Sequence, residues 1–393
     1  MKLLFYLYKY CYPPIGGTLV RAYKLIKELS RSHEVYVVAQ SHYDIDFKDI
    51  EKMKSFCKDV VVIRTSPRNS LTLFAKSLVS GTPYKVLFYQ SQKALEAIQK
   101  IIERHQVDIL LLDYIFLANK RILDLNIKKC LLAPNLEYVL LKRYVRHGSI
   151  IRRLYGMTQW KKLFNYEFDG YRSFDITILV SKNDEEKIKK IEPSLKTGVV
   201  EMGIDGNYIR SNRKNMPSPP NLVFAGAMWY YPNVQAMIHM ADHILPLIKE
   251  EVPDVHMTIV GEYPSKEIVA LGKRDGITVT GRVPDVRPYI DKATVYIVPL
   301  NIGSGVRYKI FEALAMSIPV VSTASACEGH DFHRNEDILI ADTDEEFARH
   351  VINLIKDQAL WNTISQKGRD FVTKRYSWQT AGKNLERALQ DML

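Results

Sequence analysis

The strongest constraint on the fold is a glycine-rich turn placed between an apolar strand and a helix. Residues 293–300 form an apolar run rich in β-branched side chains, which is typical of a buried strand. A Gly-Ser-Gly turn at 303–305 follows, a helical pattern then begins, and residues 319–321 open the next strand. The first N–H groups of a helix have no intrahelical partner, so this end of a helix favours anions. The sequence therefore predicts an α/β unit with an anion site at the carboxyl end of a strand.

Two cations and a carboxylate stand beside this turn. Arg307 and Lys309 add positive charge next to the helix start. Glu312 lies one to two turns further along, at a distance that suits a carboxylate accepting hydrogen bonds from sugar hydroxyls. A lone glycine-rich turn is equally a plain strand-to-helix connection. The two cations, with the glutamate at helical spacing after them, favour a site that binds a nucleotide diphosphate and contacts its ribose.

The whole pattern resembles the group 1 family of retaining glycosyltransferases, which have the GT-B architecture of two Rossmann-like domains facing a cleft. The resemblance covers nearly the whole chain and is most specific over residues 300–321. It implies that Arg307 and Lys309 bind the donor diphosphate and take part in catalysis. It also implies that Glu312 binds the donor ribose.

The chain departs from many family members inside this motif. Those members carry a glutamate eight positions before the ribose-binding one, and here that position is Ser304. The subgroup written G-S-G-x-R-x-K lacks the first glutamate and is most similar to this chain. Ser304 and the backbone amides of Gly305 and Val306 are therefore the expected donor contacts, with another loop as the alternative source.

Further donor-binding candidates follow predicted strands, at the edge where parallel sheets bind ligands. The resemblance implies that Gly16 and Gly17 bring backbone close to the donor phosphate or sugar. Their alternative role is a tight turn that tolerates positive φ. Gly226 lies in a G-x-M-x-x-x-P-N pattern similar to that of the subgroup. The resemblance also implies that the loop with Arg282 and Val283 reads the nucleobase, largely through backbone groups.

Two residues of the first half are candidates for catalysis near the transferred sugar. Asn135 and Glu137 follow a predicted strand of this half. Relatives often carry a histidine just before the asparagine, but this chain has Pro134, so that role does not transfer. Glu137 is equally interpreted as a structural partner of Lys142 or Arg143.

Strands alternate with helices along the chain, which predicts two doubly wound parallel α/β domains. Residues 1–198 would form an acceptor-binding Rossmann-like domain and residues 199–374 a nucleotide-sugar-binding one. Residues 196–205 and the proline-rich segment 211–219 indicate an interdomain linker. The family resemblance implies that the last helix, over 375–393, packs back on the first domain.

The net charge of +11 is concentrated in one region. Residues 119–172 contain twelve Lys or Arg and four acids, and over 141–162 the basic residues alternate with aromatic and aliphatic ones. This mixture suits a segment lying on an anionic membrane surface. A solvated helix face is an equally good interpretation. Nucleic-acid binding rests on charge alone, because the aromatic motif of known modules is absent, and we do not expect it.

The sequence predicts neither a metal nor a cofactor. Asp44 and Asp46 have the two-aspartate spacing of manganese-dependent transferases, but the GT-B family does not use that motif. No apolar run reaches the roughly 18 residues of a membrane span. The cysteines lack metal-ligand spacing and are expected to be reduced thiols of a cytoplasmic protein; they are Cys11, Cys57, Cys130 and Cys327.

Together these features predict a metal-independent, retaining glycosyltransferase of cell-surface polysaccharide or glycoconjugate synthesis, working in the cytoplasm or at the inner face of the membrane. The donor would be a UDP- or GDP-linked sugar, and the acceptor a glycan or a polyprenyl-linked glycan. A nucleotide-sugar epimerase or a phosphorylase on the same architecture is the alternative. An epimerase needs carboxylates at the sugar, where Ser304 stands, and a phosphorylase needs a pyridoxal-phosphate lysine motif that the chain lacks.

Overall fold

A computed structural model describes residues 1–65, 70–146, 150–205, 216–301 and 307–393. Ser304, Gly305 and Val306 lie outside the described residues, as do the side chains at 143, 144 and 146–154. The chain divides into two compact units: unit 1 comprises Met1–Gly203 with Trp378–Leu393, and unit 2 comprises Ile204–Ser377. The sequence predicts these two boundaries after residues 198 and 374, whereas the structure places them after Gly203 and Ser377.

Unit 1 is built on a parallel sheet whose strands are apolar over most of their length, as expected for strands covered on both faces. The described strands are β1 (Lys2–Leu7), β2 (Glu34–Ser41), β3 (Asp59–Arg64), β4 (Ile109–Leu112), β5 (Lys128–Ala133), β6 (Ile176–Leu179) and β7 (Thr197–Val199). Their order is β3-β2-β1-β4-β5-β6-β7. The strand order therefore reverses between β1 and β4, which is where open α/β sheets bind ligands.

The helices of unit 1 cover both faces of this sheet. They are α1 (Gly17–Leu29), α2 (Phe47–Lys54), α3 (Ser70–Val79), α4 (Tyr84–Tyr89), α5 (Gln92–His105), α6 (Lys120–Leu123), α7 (Glu137–Arg146), α8 (Ile150–Arg172) and α9 (Lys182–Ile191), with α17 (Trp378–Gln390) from the end of the chain. Helix α17 packs on α1, where a Cβ at Gly382 would lie 2.8 Å from the Glu28 side chain. Trp378 anchors its start and is 1% exposed.

Unit 2 repeats the architecture with a six-stranded parallel sheet among its described residues. The strands are β8 (Asn221–Ala225), β9 (His256–Val260), β10 (Ile277–Val279), β11 (Val295–Val298), β12 (Val320–Thr323) and β13 (Leu339–Ala341), in the order β10-β9-β8-β11-β12-β13. Its helices are α10 (Tyr231–His239), α11 (Leu245–Glu251), α12 (Lys266–Leu271), α13 (Arg287–Asp291), α14 (Tyr308–Ala315), α15 (Asp344–Lys356) and α16 (Gln358–Arg375). The prediction of two doubly wound parallel α/β domains is confirmed, and the order of the second sheet reverses between β8 and β11.

The prediction of a linker over residues 196–205 was wrong for its first part. Thr197 pairs with Thr177, so β7 forms the edge of the first sheet beside β6. Gly198 lies against Ile178, where an added Cβ would come within 3.0 Å of the isoleucine Cδ1. The strand was missed because three residues with a central glycine carry almost no strand signal.

Among the described residues, no helix is both long enough and apolar enough to cross a membrane.

Two charged side chains are buried together where the first sheet reverses its order. Arg21 lies on α1, Asp113 directly follows β4, and each is 1% exposed. Neither side chain has a hydrogen-bond partner among the described residues. Burial raises the pKa of Asp113 and lowers that of Arg21, and each charge partly offsets the shift of the other. The two therefore compensate each other, and removing one leaves the other buried without an opposite charge.

We expect Arg21→Met to cost about 3–5 kcal/mol, the scale for breaking a buried charge pair. For a domain of this size, each kcal/mol shifts the melting temperature by about 2–4 °C, so unit 1 should melt roughly 10 °C lower. The double variant Arg21→Met/Asp113→Leu should recover much of this loss. Arg64→Met, which removes an exposed ion pair with Asp44, is the control and should change little. If Arg21→Met and the control Arg64→Met melted at the same temperature, Arg21 and Asp113 would not form a stabilising pair.

Candidate active site

The candidate donor residues of unit 2 meet where its sheet reverses order. Gly226 begins the loop after β8, and Arg307 caps the start of α14 after β11. Lys309 extends from the first turn of α14 toward the β8 loop. Its Nζ lies 3.3 Å from Asn233 Oδ1 and 3.8 Å from the centre of the Phe224 ring. The structure thus brings a cation from one side of the reversal against backbone from the other.

A side chain at position 226 would displace Lys309 and Asn233. A Cβ there would lie 2.7 Å from Lys309 Nζ and 2.8 Å from Asn233 Nδ2. The neighbouring loop is equally tight, because a Cβ at Gly261 would lie 1.7 Å from the Gly226 carbonyl oxygen. The amide of Gly226 donates to Val260 O at 2.9 Å. These glycines let the loops after β8 and β9 pack backbone to backbone beneath the lysine.

The ammonium of Lys309 is unusually easy to deprotonate. Lys309 keeps part of its surface exposed, but its charged end is surrounded by protein. Its pKa is lowered to about 7, chiefly by burial and then by the nearby charge of Arg307, while Glu312 opposes both effects. A bound anion would supply the missing opposite charge. A buried lysine with a lowered pKa in a loop-lined edge is typical of a functional site.

Arg307 is held by His330, a histidine from the loop that follows β12. Its backbone N–H donates to His330 Nε2 at 3.3 Å. Burial, and then the charge of Arg307, lower the pKa of His330 to about 3, so the ring is neutral and can accept this bond. His330 also packs on Phe311 and Phe332, with ring centres 4.9 Å apart in both pairs. In the sequence, the one signal for His330 is its position directly after Gly329.

Glu312 lies one turn beyond Lys309 on the same helix, and its charge acts on two neighbours. It favours the charged form of Lys309 and raises the pKa of Tyr296, which burial already raises strongly. Tyr296 is fully buried, and its hydroxyl accepts a bond from the Ala225 amide at 3.2 Å. Glu312 thus lies with the cations at the reversal, within the described part of α14.

The predicted base-reading loop lies farther along the same edge. Arg282 and Val283 follow β10, two strands from β8. Gly281 precedes them with a φ of 68°, a conformation that glycine adopts without strain, and its carbonyl accepts from the Gly261 amide at 3.2 Å. Arg282 is exposed and Val283 half-buried.

In unit 1, the glycine pair and the two catalytic candidates lie at the corresponding edge of the sheet. Gly16 caps α1 with a φ of 85°, and Gly17 is the first residue of that helix. Asn135 and Glu137 follow β5, and Glu137 is 2% exposed. Nothing lies within 4 Å of a Cβ built on Gly16, so the turn leaves open space above the helix start.

Glu137 has partners that the sequence did not indicate. The Tyr114 hydroxyl donates to its Oε1 at 2.6 Å and Lys85 Nζ to its Oε2 at 3.0 Å. Lys142, one of the two expected partners, instead lies 5.4 Å from the Trp160 ring centre, and the Arg143 side chain is outside the described residues. The pairing with Lys142 was therefore wrong.

A second buried glutamate fixes the helix that carries Glu137. Glu167 is fully buried and accepts from the amides of Glu137 at 2.9 Å and Tyr138 at 2.6 Å, so it caps the start of α7. Burial, and then the charge of Glu137, raise its pKa to about 8. The loop between β5 and α7 is thereby held by hydrogen bonds to α8.

Asp44 and Asp46, which have the spacing of manganese-dependent transferases, form hydrogen bonds within the protein. Asp44 accepts from Arg64 at 2.7 and 2.9 Å, and Asp46 caps α2 by accepting from the Lys48 amide at 2.9 Å. In the part of the chain that the structure describes, no cluster of three or more metal-ligating side chains is found.

Comparison with known proteins finds a family match within unit 2 and the fold of the whole chain. Residues 219–357 match the family model described as Glycosyl transferases group 1. An uncharacterized protein of the Klebsiella pneumoniae cps region is 23% identical over 376 residues, covering 92% of each chain. Sucrose-phosphate synthase from Thermosynechococcus elongatus gives a TM-score of 0.74 at 13% identity, covering 100% of this chain and 99% of that chain. Anabaena Alr3699/HepE, solved with UDP, gives 0.67 at 14% identity, covering 100% of both.

These structural similarities confirm the GT-B fold that the sequence resemblance implied. The family match over residues 219–357 supports a glycosyltransferase of group 1.

We expect Lys309→Met to stabilise unit 2 at neutral pH. Folding lowers the lysine pKa from 10.5 to about 7. Between these values the unfolded chain binds more protons than the folded one, so the wild-type melting temperature should rise with pH across this window. The methionine variant should start higher and show a flatter profile. Lys273→Met, at an exposed lysine of the same unit, is the control and should keep the wild-type profile. A destabilised Lys309→Met with an unchanged pH profile would contradict the lowered pKa.

Proposed function

We propose that this protein transfers a sugar from a UDP- or GDP-linked donor to a glycan or lipid-linked acceptor, with retention at the anomeric carbon and without a metal. The observation that carries the proposal is the cluster of Arg307, Lys309 and Glu312 where the order of the second sheet reverses. Lys309 is held there with a lowered pKa by loops that only glycine can form. A site that buries a cation without a full opposite charge is suited to an anionic ligand.

The chemistry follows from where charge develops. Breaking the bond between the anomeric carbon and the diphosphate leaves positive charge on the sugar and increases negative charge on the departing phosphate. Fixed cations and N–H groups aimed at that phosphate stabilise the transition state more than the ground state. Arg307, Lys309 and the first turn of α14 would supply them. In the retaining mechanism proposed here, the acceptor hydroxyl attacks from the face that the phosphate leaves, and the phosphate takes its proton.

The remaining candidates take roles around this centre. Gly226, Arg282 and Val283 would contact the donor through the loops after β8 and β10, and Glu312 would bind the ribose. Ser304, Gly305 and Val306, which lie outside the described residues, would complete the diphosphate contacts. From unit 1, the open turn at Gly16 and Gly17 would approach the donor, and Asn135 and Glu137 the transferred sugar.

Two comparisons support the donor and the pathway. Anabaena Alr3699/HepE, which shares the fold, was solved with UDP, and this favours a uridine nucleotide. The Klebsiella relative belongs to a cps region, which favours the synthesis of capsule-type polysaccharide.

We further propose that residues 141–162 contact an anionic membrane surface at the cytoplasmic face, where a polyprenyl-linked acceptor would be found. Seven Lys or Arg and no acid between residues 138 and 166 support this contact.

Arg307→Ala should lower the transfer rate by roughly two to three orders of magnitude, the scale for losing one transition-state charge contact. The measurement is turnover of UDP- and GDP-sugars with a glycan or lipid-linked acceptor. Arg334→Ala is the matched control, since this exposed arginine of unit 2 pairs with Asp342 and Glu346 away from the candidate site. Wild-type turnover in Arg307→Ala would contradict the donor assignment.

Transfer activity should persist in EDTA. A loss of activity that manganese restores would contradict metal independence.

Glu312→Ala should weaken binding of the nucleoside diphosphate by about 1–3 kcal/mol, the scale for hydrogen bonds to a charged group. Calorimetry with UDP and GDP measures this affinity directly. A thermal-shift screen that adds ADP, CMP and dTDP identifies the preferred base, because the nucleotide that binds most tightly raises the melting temperature most. Glu336→Ala, at an exposed glutamate of unit 2 near Lys367, is the control. Unchanged nucleotide affinity in a folded Glu312→Ala variant would show that Glu312 does not bind the ribose.

A further inference from the structure

Helix α3 of unit 1 exposes a row of large apolar side chains. Val79 is 90% exposed, Leu71 76%, Leu78 48% and Phe74 39%. Large exposed apolar residues that occur singly are normal, but a contiguous group on one helix marks an interaction surface.

The exposed residues share one side of the helix. At 3.6 residues per turn, Leu71, Phe74, Leu78 and Val79 fall within an arc of about 140°. Leu73 and Ser77, which are buried, lie on the opposite side and face the protein. The helix therefore has one side that packs on unit 1 and an apolar side that the described residues leave exposed.

Helix α3 is fixed on the basic helix α8. The Phe74 and Tyr155 ring centres are 4.7 Å apart. Lys162 Nζ donates to the carbonyls of Ser77 and of Leu78, the latter at 3.0 Å. Met157 of α8 is 62% exposed and lines an open groove together with Gly81, which lies two residues beyond the end of α3. We name Leu71, Phe74, Leu78, Val79 and Met157 the α3 patch.

The surroundings of the α3 patch are positively charged. The sequence from residue 65 to 95, which contains α3, has four Lys or Arg and no acid. The sequence from 138 to 166, which contains α7 and most of α8, has seven and no acid. Lys76 is exposed on α3, and Lys161 lines an open groove beside Met157. Asp169, at the far end of this groove, is paired with Arg172.

We propose that the α3 patch inserts into the apolar layer of an anionic lipid bilayer, while Lys76 and Lys161 contact the lipid phosphates. An exposed apolar helix face with a basic rim fits the boundary between acyl chains and headgroups. An acidic protein partner would match the charge, but it would have to cover Val79 and Met157 with apolar surface of its own. The proposal rests on the proposed function for its purpose, since a lipid-linked acceptor lies at such a surface, but the observations that carry it belong to unit 1 alone.

The triple variant Leu71→Ser/Leu78→Ser/Val79→Ser should bind vesicles of phosphatidylcholine and phosphatidylglycerol in equal parts at least tenfold more weakly than the wild type. Ile191→Ser/Val269→Ser, which removes exposed apolar residues of α9 and α12, is the matched control and should bind like the wild type. Lys76→Gln/Lys161→Gln should weaken binding and reduce its sensitivity to salt. Wild-type vesicle binding by a folded triple variant would overturn the proposal.

A second measurement reports insertion itself. Val79→Trp should show blue-shifted fluorescence and quenching by brominated acyl chains on these vesicles, whereas Val269→Trp should not. Quenching in neither variant would overturn insertion, even if the protein still bound vesicles through charge. A wild-type protein that sediments as a dimer, with the triple variant monomeric, would assign the α3 patch to a second copy of this chain instead. Calorimetry with UDP on the triple variant separates the two proposals, since nucleotide binding in unit 2 should be unchanged.

Discussion

The parallel pairing of the strands in both sheets decides where polar side chains can gather. Every described pairing between named strands is parallel, so the loops that leave the carboxyl ends of the strands all start at one edge. Where the strand order reverses, adjacent loops turn to opposite faces and leave room between them. In unit 2, Gly226 and Lys309 come from the two strands at this reversal. In unit 1, Asp113 and the loop that leads to Gly16 occupy the equivalent place.

Both reversals contain charges that are costly to bury. Lys309 lies against the Phe224 ring. Among the described residues neither the Arg21 nor the Asp113 side chain has a hydrogen-bond partner, and each offsets the buried charge of the other. Removing a charge from water is unfavourable unless a partner compensates. In unit 2 the compensation is incomplete, which lowers the pKa of Lys309, and a ligand could complete it. In unit 1 the two charges compensate each other, so we interpret that pair as structural support for the turn at Gly16.

Much of the fold could be predicted because long apolar runs between glycine and proline punctuation mark buried strands reliably. β7 was missed because a three-residue strand with a central glycine has almost no pattern. In the candidate site, Arg307, Lys309 and Glu312 could be selected because they occur in one short motif. His330 could not, since it comes from a different loop and contacts the motif only after folding. Asn233 occurs in the G-x-M-x-x-x-P-N pattern, but its contact with Lys309 likewise forms only after folding. The partner of Glu137 was predicted wrongly for the same reason: Lys85 lies 52 positions away in the chain.

The sequence by itself determined the two α/β domains, the glycine-rich turn before α14 and the residue types beside it, because these depend on local periodicity and spacing. Tertiary structure alone decided which of these residues meet. Burial lowers the pKa of Lys309 only because Phe224, Asn233 and Gly226 arrive from another strand. The exposed side of α3 likewise follows from which face packs on unit 1, and the contacts that set this come from α8, which is distant in the chain. Long-range packing sets burial and charge, and neither can be deduced from neighbours in the chain.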